Sequence, residues 1–149
     1  MRLSWHAIDA ITRHAVADYP SECCGVVTGN HAFQRVHPLV NIQDRLHAED
    51  PDTHPRDSRT AYAVDRTEID RITRKFSQNG DTIIAFYHSH IDCDAYFSQM
   101  DKEVQTVFGE PEYPDALHLV VSVMKGNLYC MKCYLWDIPK QDFVNVEMG

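Results

Sequence analysis

The sequence predicts an α/β fold with a mixed central β-sheet flanked by helices. Three observations carry that expectation. Short apolar runs of strand length alternate with stretches of helical period along the whole chain. Two pairs of strand-like runs are joined at Gly29-Asn30 and Gly126-Asn127, which marks them as antiparallel hairpins. A further run, Thr82 to Tyr87 (TIIAFY), is apolar on both faces and suits a strand inside a sheet.

From the N-terminus, Ile8, Ile11 and Ala15 fall on one helical face, flanked by Leu3, Ala7 and His14, and the pattern stops before Pro20. Cys24 to Thr28 then reads as a strand, with Phe33 to Val40 as its hairpin partner. Residues 43–59 (QDRLHAEDPDTHPRDSR) are polar, hold two prolines and show no period; they are expected to form a long exposed loop, either a substrate clamp or disordered. Ala61 to Val64 has the length of a short strand. Asp65, with Glu68 three residues on, has the form of a capping box opening a helix with Ile69, Ile72 and Phe76 inward, closed by Asn79-Gly80. After TIIAFY, a helix is expected to start at Ser98 and reach about Phe108. Residues 109–115 are turn-rich, Leu117–Met124 and Leu128–Trp136 form the second hairpin, and Phe143–Val146 is a last short strand.

A chain of 149 residues fits one compact domain, 1–149, able to bury a core without disulfides. Its net charge of −8 provides no electrostatic footprint for nucleic acid or an anionic membrane. No apolar stretch reaches the length of a membrane span. The N-terminal segment is interrupted by Asp9, Arg13 and Asp18 and does not read as a secretory signal. Five cysteines, an odd number without framework spacing, point to a reducing cytoplasm.

The chemistry concentrates after the buried strand. His88 and His90 are two apart, so on an extended backbone both imidazoles leave the same face. Ser98 is a good N-cap, which puts Asp101 in the first helical turn, where the helix dipole favours a negative charge. If the intervening loop folds back, Asp101 meets the histidines. Two nitrogens and one carboxylate oxygen leave a fourth tetrahedral position for water, the pattern of a catalytic zinc site. A pair of exposed histidines before an ordinary Ser-capped helix would leave the same letters.

His88, His90, Ser98 and Asp101 match the JAMM motif in full, and the chain resembles the JAB/MPN metalloprotease family in its small bacterial single-domain branch. The family also places a glutamate before an early strand, where this chain has Glu22 in YPSECCGVVTG. The resemblance spans most of the chain. It implies a cytidine-deaminase-like JAB/MPN domain with zinc on His88, His90 and Asp101. It also implies that Glu22 is the acid–base and that Ser98 is the oxyanion donor, a role competing with its cap. The implied activity is hydrolysis of a peptide or isopeptide bond after the tail of a ubiquitin-like or sulfur-carrier protein with a Gly-Gly C-terminus. Two other implied readings are a deubiquitinase-like deconjugating enzyme of a bacterial conjugation or defence pathway, and a non-catalytic scaffold that binds such a carrier. The scaffold is disfavoured because no motif ligand is missing. The chain departs from the family at Ile91, where many members carry proline; this alters loop stiffness more than the ligand set.

Other residues are weighed and set aside. Cys93, in the motif loop, has the chemistry of a fourth, inhibitory zinc ligand but is expected to be incidental. Cys130 and Cys133 form C-x-x-C, yet on a strand they face opposite sides. Cys23 and Cys24 read as packing residues, and a thiol-protease dyad built on them lacks any histidine to fix it. His6, His14, His31, His37, His47, His54 and His118 have no motif spacing and are expected at the surface or locally bonded. Asp92 and Asp94 are expected to keep their loop solvated.

Overall fold

The computed structural model describes residues 2–30 and 32–148; His31 lies outside them. In chain order the elements are α1 (Trp5–Asp18), β1 (Cys24–Gly29), β2 (Gln34–Leu39), α2 (Gln43–Glu49), α3 (Arg66–Ser77) and β3 (Thr82–Ile91). There follow α4 (Gln99–Gln105), the two-residue strands β4 (Thr106–Val107) and β5 (Glu110–Pro111), then β6 (Leu117–Met124), β7 (Asn127–Asp137) and β8 (Asp142–Val146). Six strands form one mixed sheet in the order β2-β1-β3-β6-β7-β8, flanked by helices. No helix among the described residues is long and apolar enough to cross a membrane.

β3 and β6 pair in parallel, whereas the other contacts in this sheet are antiparallel. A parallel pair cannot be closed by a tight turn, so the chain leaving β3 must cross over a sheet face before re-entering as β6. That crossover carries α4, and its first turn is thereby set over the C-terminal end of β3. The alternation along β3 decides what it meets. Ala85 and Tyr87 enter the core under α1 with Ile11, Ala15, Leu119 and Val121, whereas Phe86 packs on the opposite side with Cys24, Val26, Tyr62 and Ile72. His88 and His90 share the parity of Phe86.

Residues 43–59 are not a long loop, because Gln43–Glu49 is helical. Its buried residue is Gln43, whose amide donates to the Arg56 carbonyl at 2.8 Å. A helix anchored through a polar side chain leaves no apolar period in the sequence. Ala61 to Val64 is not a strand. Its backbone is bound instead by Asn41, whose oxygen accepts from Ala63 N–H at 3.1 Å and whose amide donates to the Ala61 carbonyl at 3.2 Å. α3 is capped by Asp65, but no reciprocal box forms, since the Glu68 carboxylate accepts from Arg71 at 2.9 Å. α4 stops at Gln105, short of Phe108. The chain turns at Phe108 and Gly109, both left-handed (φ 52° and 80°), into the β4–β5 hairpin.

Gly25 has a different role. A β-carbon there would fall inside the ring of Tyr87 on the neighbouring strand, whose hydroxyl bonds His14 Nδ1 at 2.7 Å. Gly25→Ala is expected to lower the unfolding free energy by about 1–3 kcal/mol, because the fully packed ring has no space to move into. An unchanged urea midpoint would show that Tyr87 yields freely.

Candidate metal centre and its cleft

Asp101 is delivered to the histidines by the local chemistry of α4. The Ser98 hydroxyl oxygen accepts from Asp101 N–H at 3.0 Å, and an Asp101 carboxylate oxygen accepts from Ser98 N–H at 2.8 Å, a closed capping box. That box fixes the carboxylate rotamer. Its oxygens then lie 3.1 Å from His88 Nε2 and 3.3 Å from His90 Nε2, and the two Nε2 atoms lie 3.3 Å apart. All three residues are buried, and one donor atom from each lies within 4.8 Å of the others. This donor set fits a zinc ion: three N and O ligands with a position left over.

Each imidazole is held from behind. His90 Nδ1 bonds the Asp94 carbonyl at 2.9 Å, which fixes the tautomer that presents Nε2. Tyr62 stacks on His88, with ring centroids 4.5 Å apart and planes 22° apart, and Tyr96 meets His90 edge-on at 4.9 Å. Asp92 and Asp94 are exposed as expected, and the loop is also tied by hydrogen bonds. Asp92 accepts from Tyr19 O–H at 2.8 Å and from Lys125 N–H at 2.7 Å, Asp94 accepts from Ala95 N–H at 2.8 Å, and the Cys93 carbonyl accepts from Ser122.

Glu22 is buried just before β1. Its N–H donates to the Ser58 carbonyl at 2.6 Å and its carbonyl accepts from Asn41 at 2.8 Å. The carboxyl lines a cleft of about 290 Å³ together with Tyr62, His90, Cys93, Ser98 and Asp101. Burial, aided by the Asp101 charge, pushes the Glu22 carboxyl up to about 8 against the opposing charges of His90 and Arg56. Burial also opposes ionisation of Asp101, but His88, His90 and the Ser98 N–H overcome it and hold Asp101 well below the carboxylate range. Burial lowers His88, in the direction of neutral imidazole. At His90 burial works downward, and the bonds to Asp101 and Asp94 outweigh it and raise the pKa.

A raised folded-state pKa on a carboxyl supplies stability below its unfolded pKa, near 4.5, that is lost as pH rises through about 8. Glu22→Gln in the metal-free protein is therefore expected to stabilise the fold above pH 8 by something on the order of 3 kcal/mol, with no gain at pH 4. Urea unfolding at the two pH values measures this. A Gln variant that loses stability at high pH would contradict the placement of Glu22.

The structure therefore brings Glu22, His90, Ser98 and Asp101 to one cleft, with His88 buried beside Asp101 and His90. Cys93 lines that cleft but is outside the group of three donors. Cys23 and Cys24 are buried packing residues; burial pushes the Cys23 thiol up to about 12, which leaves no thiolate nucleophile. Cys130 and Cys133 join different clusters on opposite faces of the sheet. His118 is neither exposed nor locally bonded. It is buried between Phe86 and Phe143, its Nε2 makes no hydrogen bond among the described residues, and burial lowers its pKa to about 3. Tyr62 and Tyr96 had no spacing relation to the motif, and Arg56 and Arg59 were covered only by the general reading of residues 43–59 as a substrate clamp or disordered.

Residues 5–133 match the family described as prokaryotic homologs of the JAB domain. The chain is 34% identical over 95 residues to Tail tip assembly protein K of Escherichia phage N15, covering 64% of this chain and 32% of that protein, so it spans about a third of that relative. It is 28% identical over 127 residues to CysO-cysteine peptidase of Mycobacterium tuberculosis, covering 85% of this chain and 76% of the relative. It is 30% identical over 129 residues to Desampylase of Haloferax volcanii, covering 82% and 80%. A solution structure of a Desulfitobacterium hafniense protein shares the fold with a TM-score of 0.69 at 20% identity, covering 97% of this chain and 88% of that one. A Salinibacter ruber protein does so with a TM-score of 0.64 at 21% identity, covering 99% and 90%.

Proposed function

We propose, starting from the fact that this chain belongs to the family of prokaryotic homologs of the JAB domain, that it is a zinc-dependent metallopeptidase. Its substrate is a ubiquitin-like or sulfur-carrier protein, cleaved after the C-terminal Gly-Gly tail. The observation that carries this is the group of three donors, His88, His90 and Asp101, two of which, His90 and Asp101, line the cleft that Glu22 also lines. The names of the mycobacterial peptidase and the haloarchaeal desampylase support the substrate class.

His88, His90 and Asp101 would hold the ion, which when bound makes water acidic and polarises a carbonyl. Glu22 accepts a proton from the attacking water and passes it to the leaving nitrogen. Its burial, which in the metal-free protein displaces the carboxyl toward neutrality, suits it to take up a proton. Water's oxygen joins the acyl carbon, the C–N bond breaks, and the amine leaves with the proton. Ser98 uses its oxygen to cap α4, which leaves its O–H proton free to donate to the oxyanion. Cap and oxyanion donor are therefore compatible roles.

Purified zinc-loaded protein is expected to release the attached group from a carrier ending in Gly-Gly, to stop on chelation, and to resume when zinc is restored. Failure of the zinc-loaded protein to cleave any such adduct would overturn the assignment. The 30% identity to the desampylase favours a second reading, in which the released group is a conjugated protein.

A further inference from the structure

We infer that Arg56 and Arg59 form a carboxylate-binding subsite for the α-carboxylate of a leaving amino acid, which makes the preferred adduct a carrier tail joined to a free amino acid rather than to a protein lysine. This rests on the hydrolase reading above.

Arg56 and Arg59 line the same cleft as Glu22, His90, Ser98 and Asp101. Arg13, Arg45, Arg66, Arg71, Lys102 and Lys132 are held in ion pairs, and of the remaining arginines and lysines only Arg56 and Arg59 line this cleft. Neither Arg56 nor Arg59 has an acidic partner among the described ion pairs. Two guanidiniums in the lining of the cleft that holds the metal donors His90 and Asp101 are placed to meet an anionic group of a ligand bound there.

Their backbone is fixed. Between them Ser58 is buried, donating from N–H and Oγ to the two Asp44 carboxylate oxygens at 2.7 and 2.9 Å, while its carbonyl accepts from Glu22 N–H. The Arg56 carbonyl accepts from Gln43. The segment bearing both arginines is thus bolted to the residue that handles the proton. A guanidinium presents a planar fork matched to a carboxylate, so two carried on a fixed backbone suit an anionic ligand.

The side of the scissile bond follows from the substrate's chemistry. A Gly-Gly tail carries no charge next to that bond. When the leaving group is a free amino acid, its carboxylate sits on the carbon attached to the scissile nitrogen. When it is a lysine side chain, that carbon is a methylene. Glu22 delivers its proton to this nitrogen, and Arg56 and Arg59 line the same cleft as Glu22, which assigns them to the leaving-group side.

The test pairs a peptide ending Gly-Gly-Ala as the free acid with the same peptide as its C-terminal amide. Affinity is measured by calorimetry on zinc-loaded Glu22→Gln with and without Arg56→Gln/Arg59→Gln, and kcat/KM on the proteins that retain Glu22. Both arginines are exposed, and an unchanged thermal midpoint checks that the double variant folds. The free acid is expected to lead the amide about ten- to hundredfold in affinity and in kcat/KM, and the double substitution to bring the two within about twofold. Equal handling of acid and amide by protein with both arginines, or a preference that survives their removal, overturns the subsite. If neither peptide is cleaved, the hydrolase reading fails on its own. Arginine-dependent binding of the acid would then still uphold the subsite, and equal binding would overturn it.

Discussion

Glu22→Gln is expected to lower kcat for hydrolysis of a carrier adduct by about a hundred- to ten-thousandfold while leaving zinc bound. The amide keeps the volume and the backbone bonds that Glu22 makes to Ser58 and Asn41. It removes the one carboxyl in the cleft placed to carry a proton without serving as a metal donor. The same substitution is expected to stabilise the metal-free fold at high pH, so lost activity cannot be ascribed to unfolding. A residue retained for function rather than stability has this signature: removing it helps the fold and ends the chemistry. Retained turnover in a zinc-loaded Gln variant would exclude Glu22 from the proton path.

Asp101→Ala is expected to abolish stoichiometric zinc binding and, with it, hydrolysis. One carboxylate does two jobs here. It lies beside both imidazoles and it closes the capping box with Ser98. Removing the cap contact costs on the order of 1 kcal/mol of stability. Removing the charge costs more, since the remaining two neutral nitrogens hold a divalent ion poorly. Asp101→Asn separates the effects: its amide oxygen still accepts from Ser98 N–H, so stability is mostly kept, while zinc affinity falls by more than about a hundredfold, beyond what outer-shell partners are worth. Zinc content after dialysis, with urea unfolding alongside, reads both quantities. Full zinc occupancy in Asp101→Ala would remove Asp101 from the ligand set.

The sheet and the main helices were legible because burial there is carried by apolar side chains at fixed period. β3 announced itself as an apolar run, and α1 by Ile11 and Ala15, both fully buried. His88, His90, Ser98 and Asp101 were legible because one strand alternation and one capping box fix their geometry within a few residues. The stretch from Asn41 to Val64 was not, because its order comes from polar side chains. Asn41 alone binds Glu22, Gln43, Ala61 and Ala63 through its carboxamide, and Gln43 and Ser58 are buried through hydrogen bonds. Such contacts carry no periodicity. The part of the cleft lining that holds Arg56, Arg59 and Tyr62 belongs to this stretch. For that reason the candidate donor residues could be named from the sequence, and Arg56, Arg59 and Tyr62 could not be named individually.

The most direct test of the central claim is the X-ray absorption spectrum of the zinc-loaded protein. The structure predicts a first shell of nitrogen and oxygen only, at about 2.0–2.2 Å, with two imidazoles, one carboxylate and an exchangeable oxygen. Asp101→Ala should erase that shell. A sulfur contribution near 2.3 Å would bring Cys93 or another thiolate into the coordination sphere, and zinc that stays bound without His88, His90 or Asp101 would place the metal elsewhere. Either result would contradict the account.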